Sequence, residues 1–214
     1  MTKRHIIPFI LALIFFSGCT VFSFYPLYTD DVLKTDHRIV GNWLSLTNDP
    51  NKTDTIIWEI TFKEKMRISN SSSPFKTNDK EVPNKFTYTL NTYSKTNPDD
   101  KALFELHLVE LEGEYYLDFF PDEWESKNDI LFFHLMGVHT FAKVEIGESI
   151  KLNWLDPEWL EKLIENDKIR IKHETNDTYT ILTAKSRELQ KFMTKYSNDT
   201  TAYKDGLEYI LKRI

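Results

Sequence analysis

The chain has 214 residues, enough for one domain, with 27 basic and 33 acidic side chains and a formal net charge of −6. A net acidic protein is poorly suited to hold nucleic acid or anionic lipid headgroups on its own surface, so we expect no nucleic-acid partner. Aromatic residues make up 14% of the chain, and its single cysteine excludes an internal disulfide.

The first eighteen residues have the pattern of a secretory signal peptide. Lys3 and Arg4 form a positive start, an apolar run of eleven residues follows from Ile6 to Phe16, and Ser17 and Gly18 place small residues before a cleavage site. A helix needs ~20 apolar residues to span a bilayer, so this run is too short for a spanning helix. We predict that residues 1–18 are removed.

Cys19 directly follows the small pair, and this arrangement resembles a bacterial lipobox, although Phe16 stands where that motif prefers leucine. The resemblance implies that Cys19 carries acyl chains such as palmitate and becomes the first mature residue. Acylation also protects a lone thiol from oxidation after export. Thr20, in a position where aspartate retains such proteins in the inner membrane, implies an outer-membrane anchor facing the periplasm of a bacterial cell envelope.

The mature chain divides into two parts. Loss of Lys3 and Arg4 leaves 25 basic against 33 acidic side chains, a net charge of −8, so membrane contact is expected through the lipid on Cys19. Residues 19–36 form the lipidated N-terminal segment; its aromatic residues and Pro26 predict an extended stretch packed along the domain. Residues 37–214 are predicted to be a single strand-rich domain.

Short segments that alternate apolar and polar residues dominate this domain. The predicted strands are Ile39–Leu46, Thr55–Lys63, Lys65–Ser69 (paired back onto the preceding strand), Lys85–Tyr93, Ala102–Glu112, Tyr115–Phe120, Leu131–Leu135, His139–Ile146, Ser149–Leu155, Ile169–Glu174 and Tyr179–Thr183. Many period-two segments joined by short turns are typical of an antiparallel meander, a barrel or a sandwich. The predicted class is α+β, mainly antiparallel β.

Three helices are predicted among and after these strands. Asp156–Asn166 begins with a capping aspartate followed by proline and carries one apolar stripe, so it forms an inserted helix. Ser186–Tyr196 and Thr200–Arg213 each have apolar residues at helical spacing. We expect both to be C-terminal helices.

Gly41-Asn42-Trp43 resembles the Gly-x-Trp motif that opens the first strand of lipocalins and related calycins. In that family the glycine permits a tight entry and the tryptophan plugs one end of a barrel, so the resemblance implies a lipocalin-like barrel with Gly41 and Trp43 in ligand-binding or structural roles. Residues 176–179 resemble the family's Thr-Asp-Tyr turn inexactly. A helix after the last strand is the third shared feature, whereas the helix at Asp156 departs from the family.

A second resemblance covers more of the chain. Its motifs are Tyr25-Pro26-Leu27-Tyr28-Thr29, Gly41-x-Trp43, His134-Leu135, His139-Thr140-Phe141 and the Leu182–Phe192 region that begins Leu-Thr-Ala. Together they resemble an uncharacterised group of bacterial lipoproteins. This resemblance implies a single lipid-anchored domain and no particular activity.

Histidines are the main candidates for chemistry. His134 and His139 flank Gly137, and His107 lies on a strand that could neighbour them, so the three imidazoles could hold zinc. The spacing matches no established ligand motif, and structural histidines on a strand or turn are the competing interpretation. The many carboxylates are expected to form a solvated acidic face. No cofactor is expected, because phosphate-loop, dinucleotide and nucleophile-elbow motifs are all missing from the sequence.

Two functional hypotheses follow. The first is a non-enzymatic envelope lipoprotein that binds an apolar small ligand or a partner protein; a filled barrel would favour the partner. The second is a zinc-dependent or hydrolytic envelope enzyme that uses His107, His134 and His139. The first hypothesis is preferred, which makes enzymatic activity the less favoured interpretation.

Overall fold

The computed structural model of the chain describes residues 20–46, 55–63, 65–68, 80–83, 86–123, 135–176 and 179–214. In chain order the strands are β1 (Phe22–Ser23), β2 (Leu33–Lys34), β3 (Gly41–Leu46), β4 (Ile56–Phe62), β5 (Lys65–Ile68), β6 (Lys80–Pro83), β7 (Thr87–Ser94), β8 (Lys101–Leu111), β9 (Glu114–Glu123), β10 (Thr140–Ile146), β11 (Ser149–Trp154), β12 (His173–Thr175), β13 (Thr180–Leu182) and β14 (Glu208–Arg213). The helices are α1 (Pro157–Glu165) and α2 (Ser186–Tyr196).

Eight of the strands close into an antiparallel barrel. Their order is β3-β4-β7-β8-β9-β10-β11-β14, and β14 pairs with β3 to complete the circle. Each strand therefore neighbours the next barrel strand along the chain, which is an up-and-down topology. The predicted fold class, mainly antiparallel β with a lipocalin-like barrel, is confirmed.

Alternation along the strands places one set of side chains inside the barrel. The inward set is almost entirely apolar: Trp43, Trp58, Ile60, Tyr88, Leu90, Leu106, Leu108, Leu117, Phe119, Ala142, Val144, Ile150, Leu152, Trp154 and Leu211 are all buried. Burying one such large side chain contributes about 1.5–3 kcal/mol, so this interior is the principal source of stability.

A second layer covers the outside of β8, β9 and β10. Both helices and the N-terminal segment pack there, around Leu27, Val109, Tyr116, Leu160 and Leu189. β1 pairs in parallel with β13, and β2 pairs with β8 beyond the end of β7. The prediction that the segment after Cys19 packs along the domain is confirmed for residues 20–36.

The two helices agree with their predicted positions. The N-cap Asp156 accepts a hydrogen bond of 2.9 Å from the backbone N–H of Glu158, and Pro157 occupies the first turn of α1. α2 begins at Ser186, and Glu188 in its first turn accepts a bond from the Lys185 backbone. Among the described residues, no helix is both long and apolar enough to cross a bilayer.

The third predicted helix, Thr200–Arg213, is wrong. Residues Thr200–Tyr203 form a 3-10 turn, and the chain then enters β14, the strand that closes the barrel. Apolar residues at positions 203, 207, 210 and 211 fit a helical stripe, but pairing with β3 and β11 on both sides outweighs that local preference. Gly206 marks the break, because a Cβ there would overlap the carbonyl oxygen of Trp154.

Three further expectations need correction. β5 pairs with β6 instead of folding back on β4, and β12 starts at His173 instead of Ile169. The lipocalin-type helix after the last strand is also not found, since both helices precede β14. The predicted strand Leu131–Leu135 lies, except for its last residue, outside the described residues.

Candidate functional site

Trp43 closes one end of the barrel. Its side chain is fully buried, and its Nε1–H donates a 2.9 Å hydrogen bond to the carbonyl oxygen of Ile39. The guanidinium of Arg213 lies over the indole ring, with its central carbon 4.2 Å from the ring centroid. A cation placed over an indole face in this way is stabilised by the ring's electron density.

Arg213, near the C-terminus, also hydrogen-bonds to the backbone just before β3. It donates hydrogen bonds of 3.0 Å to the carbonyl oxygen of Val40 and 2.6 Å to that of Arg38. Gly41 makes this approach possible, since its φ is +138° and an added Cβ would lie 2.5 Å from Nη1 of Arg213. Gly41 and Trp43 therefore have the contacts of a structural plug.

Four aromatic rings pack against one another inside the barrel, beyond Trp43. Trp58 lies 6.1 Å from Phe119 and 5.6 Å from Tyr209, and Trp154 lies 5.2 Å from Phe119, all between ring centroids. Offset and edge-on pairs at such distances are favourable packing arrangements. These side chains take up part of the interior volume that a lipocalin-like ligand would use.

The titratable candidates lie outside the barrel wall, in the layer beneath the N-terminal segment. His107 on β8 is the direct partner of Asp118 on β9 in the strand register. Because Leu106 and Leu117 face the interior, the alternation of the strands turns His107 and Asp118 outward. His139 lies just before β10 and completes a group that we call the buried polar cluster: Tyr28, His107, Asp118 and His139.

Asp118 is fully buried and holds the N-terminal segment to the barrel. One carboxylate oxygen accepts a 2.7 Å hydrogen bond from Nδ1 of His139, and the other accepts a 2.6 Å bond from the backbone N–H of Leu27. Burial raises the pKa of the Asp118 carboxyl, and the two hydrogen bonds oppose that rise. His139 and Ser23 also exchange two backbone hydrogen bonds of 2.8 and 2.9 Å.

His107 is buried beside this pair and stacks on Tyr28, with ring centroids 3.9 Å apart. Its Nε2 lies 3.1 Å from the hydroxyl of Thr87, while its Nδ1 has no hydrogen-bond partner among the described residues. Burial, helped by the charges of His139 and Lys63, lowers the pKa of His107 to about 3. His107 is therefore neutral at physiological pH. Burial likewise raises the pKa of the Tyr28 phenol.

The structure describes two of the three predicted zinc ligands. His107 and His139 lie in the same layer, both in contact with the Tyr28 ring, whereas His134 lies outside the described residues. Within the described part of the chain, no group of three histidine, cysteine or acidic side chains could hold a metal ion. The three-histidine site therefore stays a prediction, and so does acylation of Cys19, which is also outside the described residues.

Two important residues were not singled out from the sequence. Asp118 belonged to the expected acidic face, yet it stands between aromatic residues on a strand, and that unusual setting is a signal of burial. Arg213 was placed in a predicted helix that is a strand in the structure, so its approach to Trp43 could not be anticipated. Residues 208–213 do not alternate between apolar and polar, so they carried no clear strand signal.

The outer face of β3, β4 and β7 carries a shallow depression among the described residues. It measures about 400 Å³ and has a mixed lining: Leu44, Ile57, Tyr93 and Ile214 supply the apolar part, and Asn42 and Lys95 the polar part. Leu44 pairs with Ile57, and Ile57 pairs with Tyr93, so these three side chains line up across the wall. We call this feature the outer-wall depression.

Comparisons with known proteins give no relative. No family model, no curated protein and no solved structure matches the chain.

Proposed function

We propose that this protein is a non-enzymatic lipoprotein of a bacterial envelope, anchored through acyl chains on Cys19, whose barrel domain binds a partner protein. The observation that carries the proposal is the packing of aromatic side chains inside the barrel. Trp58, Phe119 and Trp154 occupy the interior with mutual ring contacts, which disfavours an apolar small ligand there. The outer-wall depression, with its partly apolar lining, supports a protein partner.

The anchor is tested with Cys19→Ser in the native host. Acylation predicts that this variant stays unprocessed or becomes soluble, whereas the parent protein remains in the outer-membrane fraction. Unchanged gel mobility and fractionation of the variant would contradict the anchor. The sequence supports the anchor in a second way, since Cys19 is the only cysteine of the chain.

Partner binding is tested by placing a photo-crosslinking amino acid at Tyr93, inside the outer-wall depression. We expect one discrete crosslinked product that disappears when Leu44→Lys places a charge beside it. The matched control carries the crosslinker at Glu148, an exposed residue in the turn between β10 and β11. Equal products at both positions, or a product that ignores Leu44→Lys, would contradict a specific partner surface.

The second candidate is a zinc-dependent or hydrolytic enzyme that uses His107, His134 and His139. One observation favours it: the Nδ1 atom of buried His107 has no hydrogen-bond partner among the described residues, and an unpaired nitrogen can accept a metal or a proton. Metal analysis of the purified protein tests this candidate. Stoichiometric zinc that is lost in His107→Ala and His139→Ala would favour it over the binding protein.

A further inference from the structure

The surface next to the anchor is unusually aromatic. Phe22 in β1 and Phe24 just after it lie on the same side of the chain, while Ser23 between them points inward and is fully buried. Phe24 is 48% exposed and packs edge-on against Tyr25, and Tyr179 is 45% exposed and packs edge-on against Phe22. These four rings, Phe22, Phe24, Tyr25 and Tyr179, form what we call the anchor-proximal patch.

The segment just before His139 extends this patch. The bridge between Ser23 and His139 is antiparallel, so the residues before His139 run beside those after Ser23. Among them, Met136 is 58% exposed and Leu135 is 43% exposed. Exposed large apolar residues are unremarkable singly, but a contiguous group on one surface indicates an interaction site.

The position of this surface is fixed by the fold. Val21 and Ser23 are buried, and the backbone N–H of Phe24 donates a 2.8 Å hydrogen bond to the carbonyl oxygen of Leu182. Only Thr20 and Val21 separate Phe22 from Cys19, and an extended chain spans at most about 3.5 Å from one residue to the next. Phe22 therefore lies within about 10 Å of the acylated cysteine, with no long flexible tether between them.

We propose that the anchor-proximal patch inserts into the interfacial region of the bilayer that holds Cys19. This inference rests on the proposed acylation, because the acyl chains place Cys19 at the membrane surface. The two tyrosines suit that region, because the ring meets hydrocarbon while the hydroxyl meets headgroups. The two phenylalanines add apolar area to the same contact. Insertion would fix the orientation of the barrel relative to the membrane in addition to holding it nearby.

The chemistry of this contact is apolar and not electrostatic. The mature chain has a net charge of −8 and so gains nothing from anionic headgroups as a whole. Binding of the patch should therefore be similar on phosphatidylcholine vesicles and on vesicles that also contain phosphatidylglycerol. A basic membrane-binding surface would instead prefer the anionic vesicles.

Site-specific fluorescence on the full acylated protein tests the proposal. Cys19 carries the lipid, so Phe24→Cys or Tyr179→Cys provides the one free thiol for an environment-sensitive dye. In phosphatidylcholine vesicles with nitroxide-labelled lipid, we expect both dyes to shift to the blue and to be quenched several-fold more than a dye at Glu148→Cys. Glu148 follows β10 at the end opposite His139, ~20 Å from the bridge to Ser23.

The outcomes separate the anchor from the patch. Intact mass and vesicle flotation report whether the protein is acylated and membrane-bound. The protein could be acylated and membrane-bound while its dyes at positions 24 and 179 are quenched no more than the control. That result would overturn the inference but leave the anchor standing. It would assign the patch to a protein partner. A protein that lacks acyl chains would overturn both. Quenching at position 24 alone would reduce the contact to β1 and contradict a patch that includes Tyr179.

Discussion

The barrel interior and the layer outside β8–β10 bury their side chains by different chemistry. The interior excludes nearly all polar groups and is filled by aromatic rings such as Trp43 and Trp154. The outer layer instead buries a hydrogen-bonded pair, Asp118 with His139, together with the neutral imidazole of His107. The apolar barrel interior therefore supplies most of the stability. The layer that joins the barrel to the N-terminal segment supplies specific hydrogen bonds, and its contribution to stability depends on pH.

The largest expected effect comes from the interior. Trp43→Ala should lower the free energy of unfolding by about 4 kcal/mol, because it leaves a large cavity and removes the ring beneath Arg213. Equilibrium denaturation by urea, followed by circular dichroism, measures this loss. Trp43→Phe is the control and should lose clearly less, since it retains an aromatic ring. Equal losses in both variants would show that a phenyl ring at this position contributes nothing, and would contradict the cavity explanation.

The next effect comes from the buried pair in the outer layer. Asp118→Ala should cost about 3 kcal/mol, since it leaves the Nδ1–H of His139 and the N–H of Leu27 buried without an acceptor. Asp122→Ala is the matched control on the same strand: its carboxylate pairs with Lys63 at 3.2 Å but is partly exposed, so its loss should stay below about 1 kcal/mol. A comparable loss of unfolding free energy in both variants would mean that the buried carboxylate of Asp118 contributes no more to stability than an exposed one.

A pH series distinguishes the two regions through His107. Its pKa is about 3 when folded and 6.5 ordinarily, so below pH 6.5 the unfolded chain binds the proton more readily. The wild-type free energy of unfolding should therefore fall by about 1 kcal/mol per pH unit, relative to His107→Gln, as the pH decreases from 6 to 4. Asp118 is present in both proteins, so its own titration cancels to first order. Parallel pH profiles would show that His107 is not buried as a neutral group.

The smallest effect concerns the attachment of the N-terminal segment to α2. Gln190→Ala removes hydrogen bonds of 2.9 Å to the carbonyl oxygen of Leu27 and 3.0 Å to the Thr29 hydroxyl, and should cost about 1 kcal/mol. We expect the loss to be local, seen as faster hydrogen exchange over residues 21–31 with unchanged exchange in the barrel strands. Arg187→Ala, which breaks an exposed pair with Asp31, should have a smaller effect. Faster exchange throughout the barrel would contradict a separable layer.

The sequence predicted those parts of the fold in which local pattern and tertiary packing agree. α1 had a capping aspartate, a proline and an apolar stripe, and β8 had a long alternation, so both could be predicted. β14 could not, because six residues carry too little period-two signal to override a helical spacing, and its strand character comes from its neighbours β3 and β11.

The candidate sites depended still more on tertiary structure. Gly41 and Trp43 were recognised from their motif, but Arg213 is 170 residues away from Trp43 along the chain. His107 and His139 were singled out as chemical groups, while their real partners, Thr87, Tyr28 and Asp118, are set by strand register and by the path of the N-terminal segment. Burial of one acid among 33 cannot be deduced from composition.

We propose that the barrel interior is occupied by its own side chains and that the protein acts through its outer surfaces. Native mass spectrometry of the protein purified from its own membrane tests this most directly. We predict the mass of the polypeptide from Cys19 onward plus covalent acyl groups, with no additional small molecule bound. A single apolar molecule bound one-to-one, and released on denaturation, would contradict the claim.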